Sequence, residues 1–295
     1  MPISFADQTV IVTGAGAGLG RTHALAFAAA GANVVVNDIG GAGAANVAAE
    51  IEAAGGSAVA DTTSVTDRAA VAAMIGRTLE RFGRIDVLVN NAGILRDRSF
   101  HKMSDAEWDD VIAVHLDGAA NMTRAVWPAM RERGYGRIVM TTSSSGLYGN
   151  FGQANYGAGK MAQVGMLTTL AIEGPKAGIR VNAVAPVAWT VMTDNLFPPG
   201  AKELMPPEAV SPGVLFLASE DAPNGAILNI GGGVYSLSRI VETVPVALGL
   251  AHTPDDVAAA YDRIADLSGA VPFDNGPART IRLFQAAMAA AQSSN

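Results

Sequence analysis

The chain has 295 residues, about half of them hydrophobic, a formal net charge of −7 and no cysteine. That length can bury one large core, while the absence of cysteine excludes disulfides and thiolate metal sites, and the four scattered histidines (His23, His101, His115, His252) suggest no metal centre. Lysines and arginines form no cluster of the kind a nucleic-acid footprint needs, and no apolar run reaches the roughly 18 residues that would span a bilayer.

The opening MPISFADQTVIVTG has no charged segment leading into an apolar stretch, and the closing AAQSSN is not a peroxisomal address, so a cytoplasmic protein is expected. TVIVTG (9–14) reads as a buried strand, and TGAGAGLG (13–20) follows it and opens a helix. Gly14, Gly18 and Gly20 there let the backbone approach a pyrophosphate, while the helix N-terminus offers unpaired N–H donors. The second strand, NVVVND (33–38), ends on Asp38, about 20 residues beyond the glycines, where a carboxylate accepts from adenosine ribose hydroxyls and repels a 2′-phosphate. No basic residue stands at Ala17 or Ile39 to neutralise that phosphate, so NAD rather than NADP is expected.

SAVAD (57–61), IDVLVNNAG (85–93), GRIVMTTS (136–143), IRVNAVAP (179–186) and AILNIGGG (226–233) complete seven strand candidates, separated by alanine-rich segments of helical length. Nearly continuous apolar strands alternating with helices predict an α/β fold: a doubly wound seven-stranded parallel sheet. Ser104 and Glu107 form a capping box that opens a long helix from about Asp105 to Arg133, with a kink or break at Pro128. The proline-rich stretch 192–212 reads as irregular, in a place suited to a mobile lid. Beyond Gly233 two amphipathic helices are expected, the first opened by Thr253 and Pro254. The expected organisation is therefore a dinucleotide-binding and catalytic domain over 1–235 and a helical extension packed on it over 236–295.

GQANYGAGK (152–160) places Tyr156 and Lys160 four residues apart, hence on one helix face, and Ser143 ends the fifth strand thirteen residues earlier. An ammonium beside a phenol favours the phenolate and would pull the tyrosine down from about 10. Such a tyrosine can protonate a carbonyl oxygen or deprotonate an alcohol, with Ser143 hydrogen-bonded to the same oxygen.

Glycine turn, ribose acid, NNAG and Ser–x12–Tyr–x3–Lys occur in the order of the short-chain dehydrogenase/reductase family, which the chain resembles from residue 8 to about 233. The resemblance implies a Rossmann-like oxidoreductase with Tyr156 as acid/base, Ser143 orienting the substrate oxygen and Lys160 also holding the nicotinamide ribose. It implies a cofactor lined by Gly14, Gly18, Leu19, Gly20, Asp38, Ser64, Val65, Asn91, Ala188, Trp189, Thr190 and Val191, with no metal. His115 of VHLDG stands where the family has an asparagine that steadies a proton-relay water; imidazole can donate and accept, so His115 joins the catalytic candidates, against a purely packing role. PVAWT (186–190) replaces the usual P-G and leaves the backbone near the nicotinamide amide open.

NDIGG, NNAGILRDRSF, VHLDG, YGNFGQANY and LAIEG are similar to the D-specific 3-hydroxyacyl-CoA dehydrogenase domain of peroxisomal multifunctional enzymes. That branch implies NAD-dependent oxidation of a 3-hydroxyacyl-CoA; a hydroxysteroid or an acyl-carrier-protein thioester is the alternative small-molecule substrate. Arg96, Arg98 and Lys102 are candidate cations for coenzyme A phosphates, or partners in ion pairs. A non-catalytic dinucleotide-binding regulator is the alternative from another class. The family is typically a homodimer or homotetramer, with no nucleic-acid or membrane partner implied.

Overall fold

A computed structural model describes residues 2–190 and 201–293. All seven expected strands form: β1 Thr9–Thr13, β2 Asn33–Asn37, β3 Ser57–Asp61, β4 Val87–Asn90, β5 Gly136–Thr141, β6 Ile179–Val187 and β7 Ile227–Gly231. An eighth, β8 Val234–Ser238, follows β7 after only Gly232 and Gly233, both at positive φ (55° and 76°). So short a connection makes a hairpin, since a parallel return needs a crossover of a dozen or more residues. The sheet order is β3-β2-β1-β4-β5-β6-β7-β8, and β1 to β7 pair in parallel.

The helices are α1 Gly18–Ala29, α2 Gly41–Ala53, α3 Arg68–Phe82, α4 Asp105–Ile112, α5 Ala119–Arg133, α6 Ser144–Tyr148, α7 Ala154–Glu173, α8 Ala201–Leu204, α9 Ser211–Ala218, α10 Pro254–Ile264 and α11 Gly276–Ser293. Alternate strand residues point to opposite faces, which is why β1 divides its apolar side chains. Val10 and Val12 join Phe27, Val47 and Leu217 under α1, α2 and α9, whereas Ile11 joins Met74, Met122 and Leu167 under α3, α5 and α7. Two covered faces explain the continuous apolar strands. The order reverses between β1 and β4, and there the carboxyl ends of the strands open a crevice.

The single long helix expected over 105–133 is instead broken. The Ser104–Glu107 capping box starts α4 as predicted, but Ala113–Gly118 is π-helical before α5 begins. Pro128 lies inside α5 without ending it. The break therefore comes from one residue too many in the turn around His115, not from the proline. The irregular lid expected over 192–212 falls partly outside the described residues; its described end is ordered as α8, a 3₁₀ turn at Pro207–Ala209 and the start of α9.

At the amino-terminal edge of the sheet the Asp86 carboxylate, fully buried, accepts from Thr9 N–H at 2.8 Å and from Arg84 through Nε and Nη2, both at 2.7 Å. Asp86→Ala would leave the Thr9 donor and a partly buried guanidinium unpaired, at about 2–3 kcal/mol. Thermal unfolding should fall by roughly 5–10 °C; an unchanged midpoint would contradict that account.

The chain divides into two compact units, Met1–Leu237 and Ser238–Asn295. Within the second, Thr253 and Asp256 form a capping box for α10, Glu242 and Val271 pair as an antiparallel bridge, and Arg279 meets Glu242 at 2.8 Å. Among the described residues no helix is long and apolar enough to cross a membrane.

Candidate active site

The crevice at the carboxyl ends of β1, β4, β5 and β6 holds a cleft of about 500 Å³, a size suited to a small ligand or cofactor. One end is the glycine turn. Gly14 has φ +63°, and a Cβ on it would lie 2.8 Å from the Ala92 Cα, so only glycine lets the turn close against β4. Gly18, at φ +52°, opens α1, whose capping position is Ala17 with no side-chain acceptor, so among the described residues no cap side chain takes up the first N–H groups of the helix. Asp38 also lines this end: its Oδ2 accepts from Gly16 N–H at 2.9 Å and its Oδ1 from Gly40 N–H at 2.8 Å. Asn91 lines the cleft while its side chain donates to the carbonyls of Thr13 and Gly14 at 2.9 and 3.2 Å, tying the end of β4 to the turn. The glycine cradle, the open helix terminus and a carboxylate across from them fit a dinucleotide.

The other end is built by β5 and α7. Ser143 follows β5 and caps α6, and its hydroxyl hydrogen-bonds the Tyr156 phenol. Tyr156 and Lys160 share the inward face of α7. Lys160 is 2% exposed and its Nζ donates to the Thr141 carbonyl at 2.6 Å, its one hydrogen bond among the described residues. An ammonium has three donors, so two remain for a ligand.

The expected acidification of Tyr156 by Lys160 is not what the site produces. Burial pushes the phenol above its usual value; the Ser143 hydrogen bond opposes this and the Asp97 charge adds to it. Lys160 stands 5.6 Å from the Tyr156 ring centroid, and burial lowers its own pKa to about 7. An ammonium that has lost much of its charge by neutral pH does little to stabilise a phenolate.

His115 lines the cleft beside Tyr156, on the π segment. Its ring packs at right angles to Tyr156 with centroids 5.0 Å apart, and burial, with the Lys160 charge second, brings its pKa to about 3. It is therefore neutral near pH 7.

The remaining predicted residues are placed differently. Leu19, Gly20, Ala188 and Thr190 line the cleft. Ser64 bonds Thr66 beside β3, while Val65 is buried, its carbonyl accepting from Asn121. The Trp189 N–H donates to the Met205 carbonyl, and its ring lies under Lys202 at 4.5 Å. Val191 lies outside the described residues. Of the candidate cations, Arg98 pairs with Glu107 at 2.9 Å and Arg96 with Asp110 at 3.7 Å; Lys102 is exposed and has no ion pair among the described residues. Cleft residues that were not anticipated include Leu95, Asn150 and Gln153. Gln153 donates to Asp97 at 2.7 Å and accepts from Asn150 at 3.1 Å. It lies within GQANY, three residues before Tyr156, where its position on the same helix entry was the available signal.

The sequence profile of the short chain dehydrogenase family matches residues 8–199, and the chain belongs to that family. A short-chain type dehydrogenase/reductase of Mycobacterium tuberculosis is 47% identical over 90% of this chain and 96% of its own length. The structure of full-length peroxisomal multifunctional enzyme type 2 from Drosophila melanogaster superposes with a TM-score of 0.83 at 37% identity, over 96% of this chain and 49% of that one. This chain thus spans about half of the Drosophila enzyme. A 7α-hydroxysteroid dehydrogenase complexed with NADH and 7-oxo glycochenodeoxycholic acid gives a TM-score of 0.73 at 30% identity, covering 78% of this chain and 95% of that one. The chain is an oxidoreductase of the nicotinamide-dinucleotide class that its family defines.

Proposed function

We propose that this chain moves a hydride between NAD and a secondary alcohol or ketone, with a 3-hydroxyacyl-CoA as the leading substrate. The observation that carries the reading is one cleft with Gly18 and Asp38 at one end and Ser143, Tyr156 and Lys160 at the other. The N–H groups at the start of α1 suit a pyrophosphate, and Asp38 suits ribose hydroxyls while repelling a 2′-phosphate. When bound, the nicotinamide supplies the hydride acceptor for an alcohol or the donor for a ketone. Tyr156, kept protonated by burial, donates to a ketone oxygen; in the reverse direction the phenol must first lose its proton, so oxidation should speed up as pH rises. Ser143 holds the same oxygen, and Lys160 has donors left for the nicotinamide ribose.

The motif similarity and the Drosophila likeness favour an acyl thioester. The likeness to the hydroxysteroid dehydrogenase supports a steroid alcohol as the second reading, and an acyl-carrier-protein thioester is a third. Lys102, exposed and without an ion pair among the described residues, is then the candidate cation for recruiting a polyanionic carrier. A purely binding role is disfavoured because holding a dinucleotide does not need a buried phenol against Ser143. We further infer a cytoplasmic homodimer or homotetramer in which 1–235 binds cofactor and substrate and 236–295 is a helical extension.

Steady-state dinucleotide reduction over 3-hydroxyacyl-CoA chain lengths and hydroxysteroids, with both cofactors, tests this. The thioesters should be the best substrates, and NAD should exceed NADP in kcat/KM by about 100-fold, since placing like charges together costs several kcal/mol. Equal cofactor efficiencies would remove Asp38 as the selector; faster turnover of a steroid would replace the thioester.

A further inference from the structure

Among the described residues, Nδ1 of His115 and Oε1 of Gln163 are buried without hydrogen-bond partners. Both belong to one arrangement. A π-helical turn is wider than an α-turn and breaks the regular i→i−4 ladder. In the Ala113–Gly118 π segment the His115 carbonyl accepts from Gln163 Nε2 at 2.7 Å. Gln163 is 1% exposed on α7 and lies on the face of Tyr156 and Lys160, seven and three residues beyond them in turn. A carbonyl can only accept, so the amide must present its NH₂ there, which leaves Oε1 without a donor.

The imidazole of the same residue is enclosed. A Cβ on Gly93 would lie 2.5 Å from His115 Cε1, and one on Gly159 would lie 2.9 Å from His115 Cβ. Its Nε2 faces the N–H and the carbonyl of Ile94 at 3.1 and 2.8 Å, and its ring stands at right angles to the phenol. Backbone carbonyl and ring are thus both held, the carbonyl by Gln163 and the ring by the Ile94 backbone, the glycine-lined walls and Tyr156.

We propose that Gln163 is a positioning residue for proton transfer at Tyr156: by holding the His115 carbonyl in the π segment, it fixes the imidazole wall against which the phenol is aimed. This rests on the reading of Tyr156 as the acid/base. Gln163→Met keeps the volume and removes the donor, freeing the π segment to relax and the imidazole to tilt.

The test uses the full chain with isotopically labelled histidine and glutamine. In the parent, the Gln163 side-chain NH₂ should exchange slowly with solvent, and His115 should show a ring resonance displaced by the Tyr156 ring current. In Gln163→Met, that resonance should move while the resonance of His23, buried elsewhere at α1, stays fixed and reports an intact fold. A displacement of the order of 1 Å costs up to about 100-fold in rate, so kcat should fall at least about tenfold, with KM and the NADH dissociation constant within about twofold. Fast exchange of the Gln163 amide in the parent would overturn the proposal without any variant. So would a parental kcat in Gln163→Met, or a loss of kcat with the His115 resonance unmoved. Turnover retained by Tyr156→Phe would instead remove the reading beneath it.

Discussion

A Lys160→Met variant is expected to be more stable than the parent at pH 7 and to lose essentially all turnover. Lys160 is 2% exposed, meets one carbonyl at 2.6 Å, and has its pKa lowered from 10.5 to about 7 by burial. Unfolded, the amine keeps its proton up to about pH 10.5; folded, it releases it near 7. Between those values the unfolded state binds more protons, so this group makes stability rise with pH across the interval. Below pH 7 its penalty is present in full, at an order of a few kcal/mol. Methionine fills similar space without the charge, so the variant should lack this part of the slope and melt roughly 10 °C higher near neutrality. The same change removes the donors assigned to the nicotinamide ribose. Destabilisation kept for function is a common property of catalytic sites. Thermal scans of parent and variant from pH 6 to 10 check it; a lower melting point with the parental slope retained would show that the buried amine is not strained.

What could be read from the chain is what local chemistry dictates. The strands are legible because burial on both faces requires unbroken runs such as VVV at 34–36; α4 is legible because Ser104 carries its capping partner three residues on, and α10 because Thr253 is followed by Pro254. The cleft residues are legible because Gly14, Asp38, Ser143, Tyr156 and Lys160 each follow a strand or share a helix face. Burial depth is not written in spacing, and it reverses the electrostatic expectation: the ammonium gives up charge and the phenol becomes a weaker acid. The π segment has no residue-type signature, so the sequence puts the expected break at Pro128 rather than at Ala113–Gly118. Gln163 looks like any polar helix position until α7 is laid against that segment. The arginines of LRDRSF are paired by Glu107 and Asp110, nine and fourteen residues further on, across a turn that the motif itself does not describe.

Tyr156→Phe should bind NADH as the parent does and turn over almost nothing. The substitution removes one oxygen from a ring that keeps its edge contact with His115, so the cleft's shape is preserved. Positioned general acid–base catalysis contributes about 10²–10⁴-fold, and Ser143 alone cannot supply the proton at neutral pH because its hydroxyl is far too weak an acid. The parent's oxidation rate should climb with pH as the raised phenol ionises, and the variant's residual rate should lose that climb. The decisive measurement is single-turnover hydride transfer by parent and Tyr156→Phe beside the NADH dissociation constant of each. A rate lower by about 10³-fold or more with the dissociation constant within about twofold is the predicted result. Phenylalanine turning over within about tenfold of the parent, with the same pH dependence, would contradict the assignment of Tyr156 as the proton donor.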